Sequence, residues 1–366
     1  MGELFGGAYK DSKVLLTGHT GFKGSWLSIW LNKLGAKVTG YSLDPLDKEP
    51  SMFKICNLEN TITNVIGDIR NLKKLKQVFN DCKPEIVFHL AAQPLVRVSY
   101  KNPIETYETN VMGTVNVLEA AKDCKSVKAV IIITTDKCYE NKEYIYGYRE
   151  NDPMGGYDPY SSSKGCAELV VSAYRNSFYD SNNIGLASVR AGNVIGGGDW
   201  AQDRLIPDFI RATLKNRKVL VRNPQATRPW QHVLEPLSGY LWLGALMLKD
   251  SKKYSSGWNF GPNDTDVLDV EGILNLCIGS YGDGNIEIDN SQQLHEANLL
   301  KLDISKVKYY LKWYPVWHVK QAVDMTMKWY KEFYENQDEN MYQYTLSQIC
   351  EYEQKAKEQN LLWYKL

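Results

Sequence analysis

The feature that most constrains this chain is an apolar segment that runs directly into a glycine-rich turn near the N-terminus. Residues 13–17 have the composition of a β-strand, and a helix is predicted over residues 25–34, directly after the turn. Glycines at this spacing permit a tight turn and a close approach of the backbone to a pyrophosphate, which then lies at the positive end of the helix. The sequence therefore predicts a dinucleotide site at these turn residues: Gly18, Thr20, Gly21, Phe22, Lys23 and Gly24.

Segments with the composition of strands and of helices alternate over the first 190 residues. The predicted strands are 13–17, 36–42, 61–66, 86–90, 129–134 and 185–190. The predicted helices between them are 25–34, 71–82, 103–122 and 161–178. This alternation is typical of an α/β fold with a doubly wound parallel sheet, the Rossmann arrangement.

After Arg190 the alternation weakens, and loops that contain glycine and proline indicate a change of domain. We predict a cofactor-binding Rossmann domain over residues 1–188, with a return segment at about 231–260. A smaller, discontinuous α/β substrate domain is predicted from residues 189–230 and 261–345. The last segment, 346–366, is predicted to form a peripheral C-terminal helix.

Residues after the second, third and fourth predicted strands complete the cofactor site. Asp44 lies twenty residues beyond Gly24, where a carboxylate can hydrogen-bond a ribose 2′-hydroxyl and would repel a 2′-phosphate, so NAD is favoured over NADP. The alternative for Asp44 is a turn residue before Pro45. Two further sets are predicted to contact the cofactor, Asp68 and Ile69 beside the adenine, and Leu90, Ala91 and Ala92 beneath the cofactor.

The overall charge and the cysteine pattern exclude several classes of function. Lys and Arg number 43 and so do Asp and Glu, and this balance argues against nucleic acid as a partner. The longest apolar stretches are too short to span a bilayer and no secretory signal is recognisable, so we expect no membrane partner and a cytoplasmic location. The seven cysteines and five histidines are scattered without ligand spacing, so no metal site is predicted.

Arginine is concentrated in one part of the chain. Six of the ten arginines fall between Arg190 and Arg228, whereas lysine serves the general surface. Because a guanidinium grips carboxylate or phosphate with two hydrogen bonds, this concentration indicates an anion site, for which we expect Arg204 and Arg228. The alternative is a helix from about 205 to 216 with solvated basic positions, which we expect for Arg211 and Arg217.

Tyr160 and Lys164 form a YxxxK pattern at the start of a predicted helix. The spacing places phenol and ammonium on one helix face, where the cation is expected to lower the phenol pKa and to grip a nicotinamide ribose. The pattern alone is weak, since Tyr9 and Lys13 also match it. The position of Tyr160 carries more weight, because the preceding strand ends near Thr135, at the sheet edge where doubly wound folds bind ligands.

Long runs of the sequence resemble the extended short-chain dehydrogenase/reductase family, and within it the nucleotide-sugar 4,6-dehydratases of the CDP-glucose branch. The resemblance extends to about residue 335 and rests on runs such as LLTGHTGFKGSWLS, PEIVFHLAAQPLVRVSY, TTDKCYEN, GYRENDPMGGYDPYSSSKGCAE, SVRAGNVIGGGDWAQDRLIPD and NPQATRPWQHVLEPLSGYL. It implies conversion of a CDP-linked glucose to its 4-keto-6-deoxy form, with bound NAD regenerated. It also implies a role in making deoxysugars for surface polysaccharide such as O-antigen.

The resemblance assigns chemical roles to five residues. Tyr160 would take the proton of the sugar 4-hydroxyl, with Lys164 and Thr135 holding the phenol, and Asp136 would protonate the hydroxyl that leaves carbon 6. Related dehydratases carry Glu after this Asp as the base for carbon 5, but here the residue is Lys137. A lysine could act as that base only with a depressed pKa, so the role is a hypothesis; the alternative is that Lys137 orients water or substrate.

Several residues are predicted to contact the substrate, and some alternatives stay open. Asn193, Arg204 and Arg228 are expected at the diphosphate. For four others a structural role is about equally expected: Gln93, Asn110, His232 and Glu296. Another nucleotide-linked hexose or heptose, a nucleotide-sugar 4-epimerase and a catalytically silent NAD-binding scaffold are alternative functions, although Asp136 argues against the epimerase. A homo-oligomer, dimer or tetramer, is expected.

Overall fold

The computed structural model describes residues 4–45, 50–289, 298–336 and 338–365. Its centre is a parallel sheet whose seven strands are, in spatial order, Gly257–Phe260, Gly185–Ala191 (β6), Ala129–Ile133 (β5), Ile86–His89 (β4), Lys13–Thr17 (β1), Lys37–Ser42 (β2) and Thr63–Ile66 (β3). All neighbouring strands run parallel. The predicted doubly wound sheet is therefore confirmed. The strand order reverses between β1 and β4, and such a switch point opens a crevice at the carboxyl ends of the strands.

Helices cover both faces of this sheet. The described α-helices are Phe22–Lys33, Met52–Ile55, Leu72–Cys82, Val96–Lys101, Pro103–Tyr107, Gly113–Asp123, Pro159–Tyr174, Leu205–Leu214, Leu234–Lys249, Ser251–Tyr254, Val270–Tyr281, Val319–Glu335, Met341–Glu358 and Leu362–Lys365. Short 3₁₀ turns lie at Leu4–Gly7, Leu58–Asn60, Asp136–Cys138 and Asp264–Asp266, and π-turns at Glu108–Met112, Arg175–Tyr179 and Val307–Leu311. The predicted helix over 103–122 thus contains a π-turn between two α-helical parts.

Burial on both faces explains why the central strands are apolar throughout. In β5, Ala129, Ile131 and Ile133 belong to the hydrophobic cluster on one face, and Val130 and Ile132 to the cluster on the other. Successive side chains of a strand point to opposite faces, and a parallel sheet covered by helices on both sides buries both sets. The run of five apolar residues is therefore a consequence of the strand's central position.

Short strand pairs after β6 form the wall opposite the crevice. Lys218–Val221 pairs in parallel with Asn285–Ile288, and Thr227–Arg228 pairs antiparallel with Leu268–Asp269. Val194–Ile195 pairs in parallel with Gln231–His232. The chain also returns to the central sheet at the strand next to β6. The division into two domains at the predicted boundaries stays a prediction.

The C-terminal helix Met341–Glu358 is part of the core. It packs against the helix Phe22–Lys33, where the indole Nε1 of Trp30 donates to Glu353 over 2.8 Å. Trp363 in the following short helix is fully buried in the same hydrophobic cluster. The prediction of a peripheral helix is wrong, because the apolar face of this segment covers a face of the Rossmann layer.

The described part of the chain has neither a membrane-spanning helix nor a cluster of metal ligands. None of its helices combines the length and the apolarity that crossing a bilayer requires. Nor do its His, Cys, Asp and Glu side chains come together in groups of three or more that could hold a metal ion.

Candidate active site

The glycine-rich turn lies directly against the loop that follows β4. Gly18 has a φ of 76°, and a Cβ there would lie 2.6 Å from the backbone nitrogen of Ala91. A Cβ on Gly24 would lie 2.1 Å from the carbonyl oxygen of Gly18. A side chain at either position would therefore push the turn off the sheet edge, which explains two of the three glycines.

The third glycine has room for a side chain and directly precedes the helix. A Cβ on Gly21 would meet its nearest neighbour at 3.5 Å, and Gly21 is the N-cap of Phe22–Lys33 with no side chain capping the helix. The N–H groups of the first turn are consequently available to an anion, and the helix dipole favours negative charge at this end. This cradle of bare backbone fits the pyrophosphate of a dinucleotide.

The residues predicted beside the rest of the cofactor lie where β2 and β3 end. Asp44 is exposed just beyond β2, and the Thr20 hydroxyl lies 2.9 Å from the hydroxyl of Ser42. Asp68 accepts hydrogen bonds from Arg70, with a closest contact of 2.6 Å, and these bonds lower the pKa of Asp68 below its ordinary value. Ile69 is buried next to it. Contacts of these residues with a cofactor stay predictions.

A buried histidine that the sequence did not reveal, His89 at the end of β4, links β1 to the helix Gly113–Asp123. His89 Nδ1 lies 2.7 Å from the hydroxyl of Thr17, and its Nε2 lies 3.2 Å from that of Thr114. Thr114 already donates its proton to the carbonyl of Asn110, so it accepts from Nε2–H, and Nδ1 accepts from Thr17. Burial lowers the pKa of His89 to about 3, so the ring is neutral. Leu90, Ala91 and Ala92 continue the chain from this point, and the backbone N–H groups of the first two donate to Thr17.

A cavity of about 950 Å³ opens between the carboxyl ends of the strands and the short strand pairs. It is large enough for a nucleotide sugar. Eight of the predicted site residues line it: Lys23, Thr135, Asp136, Lys137, Tyr160, Asn193, Arg204 and Arg228. The structure thus brings together residues from the glycine turn, the end of β5, the helix Pro159–Tyr174 and the arginine-rich segment.

The position of Tyr160 follows from the way its helix begins. Asp158 is the N-cap, and its carboxylate accepts from the backbone N–H of Ser161 at 3.0 Å and from its hydroxyl at 2.6 Å. Pro159 occupies the first helical position, where its fixed φ is favourable. Tyr160 is therefore held on the first turn at the cavity wall, and Lys164 follows one turn later on the same face.

Burial controls the protonation of this pair. It raises the pKa of Tyr160 to about 12, although hydrogen bonding to Thr135 and the charge of Arg204 act in the opposite direction. Burial also lowers the pKa of Lys164 to about 8, and its ammonium donates to the carbonyl of Ile133 over 3.2 Å. The prediction that Lys164 depresses the phenol pKa is wrong, because desolvation outweighs every favourable charge around the phenol.

Asp136 is almost completely buried, yet one oxygen remains unpaired. Oδ1 accepts from the Thr135 hydroxyl at 3.0 Å, and Oδ2 has no hydrogen-bond partner within the described part of the chain. A Cβ on Gly192 would lie 2.1 Å from Oδ2, so only glycine leaves room for this carboxyl group. Asp136 also lines the cavity, so its carboxyl group is a candidate to exchange a proton with a ligand.

The arginine-rich segment divides into structural and cavity-facing members. Arg190 forms a buried ion pair of 2.8 Å with Glu168, so it supports the sheet. Arg204 lines the cavity and pairs with Asp199 at 2.8 Å. Arg228 also lines it and donates to the carbonyl of Thr227 at 2.9 Å.

Three charged groups that form an ion-pair chain at the cavity were not predicted. Arg97 and Arg222 both contact Asp203, at 3.5 and 3.1 Å. This ion-pair chain joins the loop after β4 to the opposite wall. The excess of arginine was a usable signal for Arg222, whereas Arg97 and Asp203 carry no local pattern. Asn193 lines the cavity, and its Oδ1 has no partner among the residues described; its contact with the substrate stays a prediction.

Three of the weaker substrate predictions are not supported by the geometry. The Asn110 amide is satisfied internally: its Oδ1 accepts from the backbone N–H of Gln93 at 2.8 Å, and its Nδ2 donates to the carbonyl of Gln93 and to Ser163. Gln93 in turn donates to Thr106 and accepts from the backbone of Leu95. Both residues therefore position the loop after β4, and their contact with the substrate stays a prediction.

His232 and Glu296 complete the set of weaker predictions. His232 is fully buried between Trp26 and Trp317, with ring centroids 5.6 and 4.9 Å away, and burial lowers its pKa to about 3. The predicted substrate contact of His232 is wrong, because it lies in this aromatic core instead of at the cavity. Glu296 lies outside the described residues.

The fold and the Thr135, Tyr160 and Lys164 constellation define an extended short-chain dehydrogenase/reductase. The chain belongs to the GDP-mannose 4,6-dehydratase family, whose sequence model matches residues 15–326. Within curated relatives, it is 54% identical over 336 residues to the CDP-glucose 4,6-dehydratase of Salmonella typhimurium, a match that covers 90% of this chain and 93% of the relative.

Solved structures of low sequence identity share the fold. The dTDP-glucose 4,6-dehydratase of Bacillus anthracis in complex with NAD superimposes with a TM-score of 0.74 at 22% identity, over 88% of this chain and 98% of that one. The UDP-glucose 4-epimerase of Thermotoga maritima with UDP-glucose gives a TM-score of 0.75 at 21% identity, over 87% and 99%. Since the same fold serves dehydratases and epimerases, the reaction must be argued from the site.

Proposed function

We propose that this protein is an NAD-dependent nucleotide-sugar 4,6-dehydratase, a hydro-lyase that converts CDP-D-glucose to CDP-4-keto-6-deoxy-D-glucose and water. The observation that carries the proposal is that a proton acceptor for oxidation and a proton donor for elimination meet in one cavity, with Tyr160 and Thr135 beside Asp136. The substrate named for the Salmonella relative, at 54% identity, supports the CDP-sugar.

NAD is the cofactor that the glycine turn fits. Its pyrophosphate would lie on the uncapped helix after Gly21, with Asp44 near the adenosine ribose. When bound, NAD accepts a hydride from carbon 4 of the sugar and returns it to carbon 6, so it is regenerated in each turnover. The protein supplies the remaining proton transfers.

Tyr160 handles the first proton. As a phenolate it takes the proton of the sugar 4-hydroxyl, with Thr135 hydrogen-bonded to the phenol and Lys164 one helical turn away on the same face. Because burial raises the pKa of Tyr160 to about 12, the phenol carries its proton at neutral pH until positive charge enters the site. A bound cationic nicotinamide is the added charge that would favour ionisation.

Asp136 handles the elimination. The 4-ketone acidifies the proton on carbon 5, and the hydroxyl on carbon 6 leaves as water once it receives a proton. Asp136, which lines the cavity, is the donor in this step. Carbon 5 requires a base as well. Three lysines line the cavity, and of these Lys137, which directly follows Asp136, is the candidate for this base.

Arginines on the cavity wall serve the substrate diphosphate. Arg204 and Arg228 line this wall, and Asn193 adds a buried amide oxygen for a sugar or ribose hydroxyl. Charge-assisted hydrogen bonds from guanidinium groups are the strongest contacts available for a diphosphate. A neutral chain can therefore bind a substrate with two phosphates, because its arginines are concentrated here.

The purified protein should be incubated with CDP-glucose and analysed for the 4-keto chromophore that develops in alkali. The chromophore is expected, and it should be lost in Tyr160→Phe, which keeps the ring but removes the hydroxyl. Formation of CDP-galactose would instead identify an epimerase, and absence of any product would indicate a silent NAD-binding protein. A panel of nucleotide sugars, with other bases and with heptoses, would then define the substrate.

The product suits a biosynthetic role in the cytoplasm. A 4-keto-6-deoxy sugar is a starting point for deoxysugars of surface polysaccharide, including O-antigen. All seven cysteines are free thiols, as is typical of proteins from a reducing compartment.

A homo-oligomer completes the proposal. Large apolar side chains are exposed on two adjacent helical segments: Ile104, Tyr107, Met112, Leu169 and Phe178. The two segments are joined by the hydroxyl of Tyr107, which donates to that of Ser162 over 3.0 Å. A contiguous apolar surface of this kind is typical of an interface, and a second copy related by a two-fold axis would cover both surfaces equally.

A further inference from the structure

Glu168 carries a buried carboxylate that the proposed reaction does not use. It lies eight residues after Tyr160 and four after Lys164 on the helix Pro159–Tyr174, so the three side chains share one face of that helix. The Glu168 side chain is only 4% exposed, and it forms the ion pair with Arg190 over 2.8 Å. A buried carboxylate requires hydrogen-bond donors, and the donors show which elements Glu168 joins.

Hydrogen bonds hold both oxygens of the Glu168 carboxylate. Oε1 accepts from the Thr134 hydroxyl at 2.5 Å and from Nε of Arg190 at 2.9 Å. Oε2 accepts from the Ser188 hydroxyl at 2.7 Å and from Nη2 of Arg190 at 2.8 Å. The Thr134 hydroxyl also lies 3.2 Å from the carbonyl of Val189, and the shorter contact shows that its proton goes to the carboxylate. Glu168 therefore ties its helix to β6 and to the chain that follows β5.

The same ion pair holds a second point on the chain after β5. Nη1 of Arg190 donates to the Tyr139 hydroxyl over 2.5 Å, and this hydroxyl donates to Oδ1 of Asn259 over 2.7 Å. The guanidinium carbon of Arg190 also lies 5.0 Å from the centroid of the Tyr139 ring. The segment 134–139 is consequently fixed at its first and at its last residue by one buried ion pair.

The segment 134–139 contains the groups that the proposed reaction needs beside Tyr160. Thr135 is hydrogen-bonded to the phenol, and Asp136 accepts from the Thr135 hydroxyl. Proton transfer requires donor and acceptor within hydrogen-bond reach, so the helix and the segment must be held in a fixed relation. Because Glu168 is bonded to the first residue of the segment and shares the helix of Tyr160, it connects the two halves of the site.

We propose that Glu168 is a positioning residue for the reaction, whose carboxylate holds the helix of Tyr160 in register with the segment 134–139. The assignment rests on the proposed dehydratase function. Glu168 acts through other residues and exchanges no proton with the substrate. Loss of its bond to Thr134 should therefore slow the chemical step and leave the binding of CDP-glucose almost unchanged.

The test compares two hydroxyls that donate to the same carboxylate. Thr134→Val removes the hydroxyl that belongs to the segment 134–139, and Ser188→Ala removes a hydroxyl of β6, outside that segment. Each variant loses one hydrogen bond to Glu168, so thermal unfolding should show similar losses of stability. Thr134→Ser restores the first hydroxyl, and Tyr139→Phe releases the other end of the segment while keeping the ring.

Steady-state kinetics of the NAD-loaded enzyme with CDP-glucose separate positioning from a merely structural role. Thr134→Val is expected to lower kcat at least about tenfold with little change in KM, because misplaced groups slow the chemical step. Tyr139→Phe should change kcat in the same direction. Thr134→Ser should recover most of the wild-type kcat, and Ser188→Ala should stay within about twofold of it.

Three results would overturn the proposal: a wild-type kcat in Thr134→Val, a loss in Ser188→Ala as large as that in Thr134→Val, or a Thr134→Ser variant that recovers no activity. If Thr134→Val does not fold, Tyr139→Phe decides, and a wild-type kcat in that variant overturns the proposal. A wild-type enzyme that forms no 4-keto sugar contradicts the dehydratase function, and with it the role of Glu168.

Discussion

The hydroxyl of Thr135 lies 3.0 Å from Oδ1 of Asp136, and the same hydroxyl hydrogen-bonds the phenol of Tyr160. A hydroxyl has one proton, so it donates either to the carboxylate or to the phenol oxygen, and only the second of these bonds favours ionisation of the phenol. Moving one proton along each of the two links converts a phenol and a carboxylate into a phenolate and a carboxylic acid. Those are the forms required to start the oxidation at carbon 4 and to complete the elimination at carbon 6.

Replacing Thr135 by Val should break this connection while keeping the shape of the side chain. We expect kcat with CDP-glucose to fall about a hundredfold, because the hydroxyl no longer helps the phenol to ionise or supplies Asp136 with a proton. Thr135→Ser keeps the hydroxyl and should retain most of the activity. Steady-state kinetics of both variants check this, and a Val variant as fast as the Ser variant would show that the hydroxyl is not needed.

Gly192 controls the position of the acid. A Cβ at this residue would lie 2.1 Å from Oδ2 of Asp136 and 2.8 Å from Cγ of Pro229, so Gly192→Ala should displace the carboxyl group. We expect kcat to fall at least about tenfold with a smaller change in KM, because the change acts on the acid. Gly279→Ala is the matched control, since a Cβ there meets nothing within 4 Å. Equal kcat values for the two variants would contradict the prediction.

Much of the fold follows from local sequence properties. The apolar run of β5 and the glycine spacing after β1 are local patterns, and both predict elements that the structure contains. The packing of the C-terminal helix was not predictable in this way. It depends on a contact between Trp30 and Glu353, which lie at opposite ends of the chain.

From the sequence, the candidate site was predictable only as a set of residues, without their burial or their pKa values. The spacing of Tyr160 and Lys164 gives their common face, but not the loss of water that raises the phenol pKa to about 12. In the same way, His232 looks like a site residue in sequence, and only the fold shows Trp26 and Trp317 around it. Desolvation is a property of the packed structure, so local sequence carries little information about it.

Glu235 should make the stability of the protein depend on pH. Its carboxylate accepts from the backbone N–H groups of Val316 and Trp317 and from the Tyr352 hydroxyl, yet burial raises the pKa of Glu235 to about 7. The folded state therefore binds the proton more tightly than the unfolded state. The resulting stabilisation is fully present below the ordinary pKa of a glutamate and is lost as pH rises through about 7.

Thermal unfolding between about pH 5 and about pH 8 measures this effect. Wild type should lose stability as pH rises, by on the order of 3 kcal/mol from this group, and Glu235→Gln should show a flatter dependence because it cannot ionise. Identical slopes for the two proteins would show that Glu235 does not titrate in this range.

Trp363 tests the contribution of the C-terminal segment to the core. Its indole is fully buried and stacks on Phe5 with ring centroids 5.1 Å apart. Trp363→Ala should lower the free energy of unfolding by about 3–5 kcal/mol, because the substitution leaves a large cavity. The neighbouring Leu362→Ala, at a partly exposed side chain, should cost much less. Chemical denaturation of both variants measures the free energy of unfolding. Equal losses of this free energy in the two variants would contradict the structural role of Trp363.

Leu169 tests the proposed interface between two copies of the chain. It is 61% exposed on the helix Pro159–Tyr174, beside the other apolar side chains of that surface. Leu169→Glu places a charge where two copies would meet, and desolvating an unpaired carboxylate is costly. We expect sedimentation velocity to show a smaller species than wild type. Leu214→Glu, at a leucine that is 43% exposed on the helix Leu205–Leu214, is the matched control and should sediment as wild type does. A monomeric wild type would show that the proposed interface does not form. A Leu169→Glu variant that sediments as wild type does would show that the interface lies elsewhere.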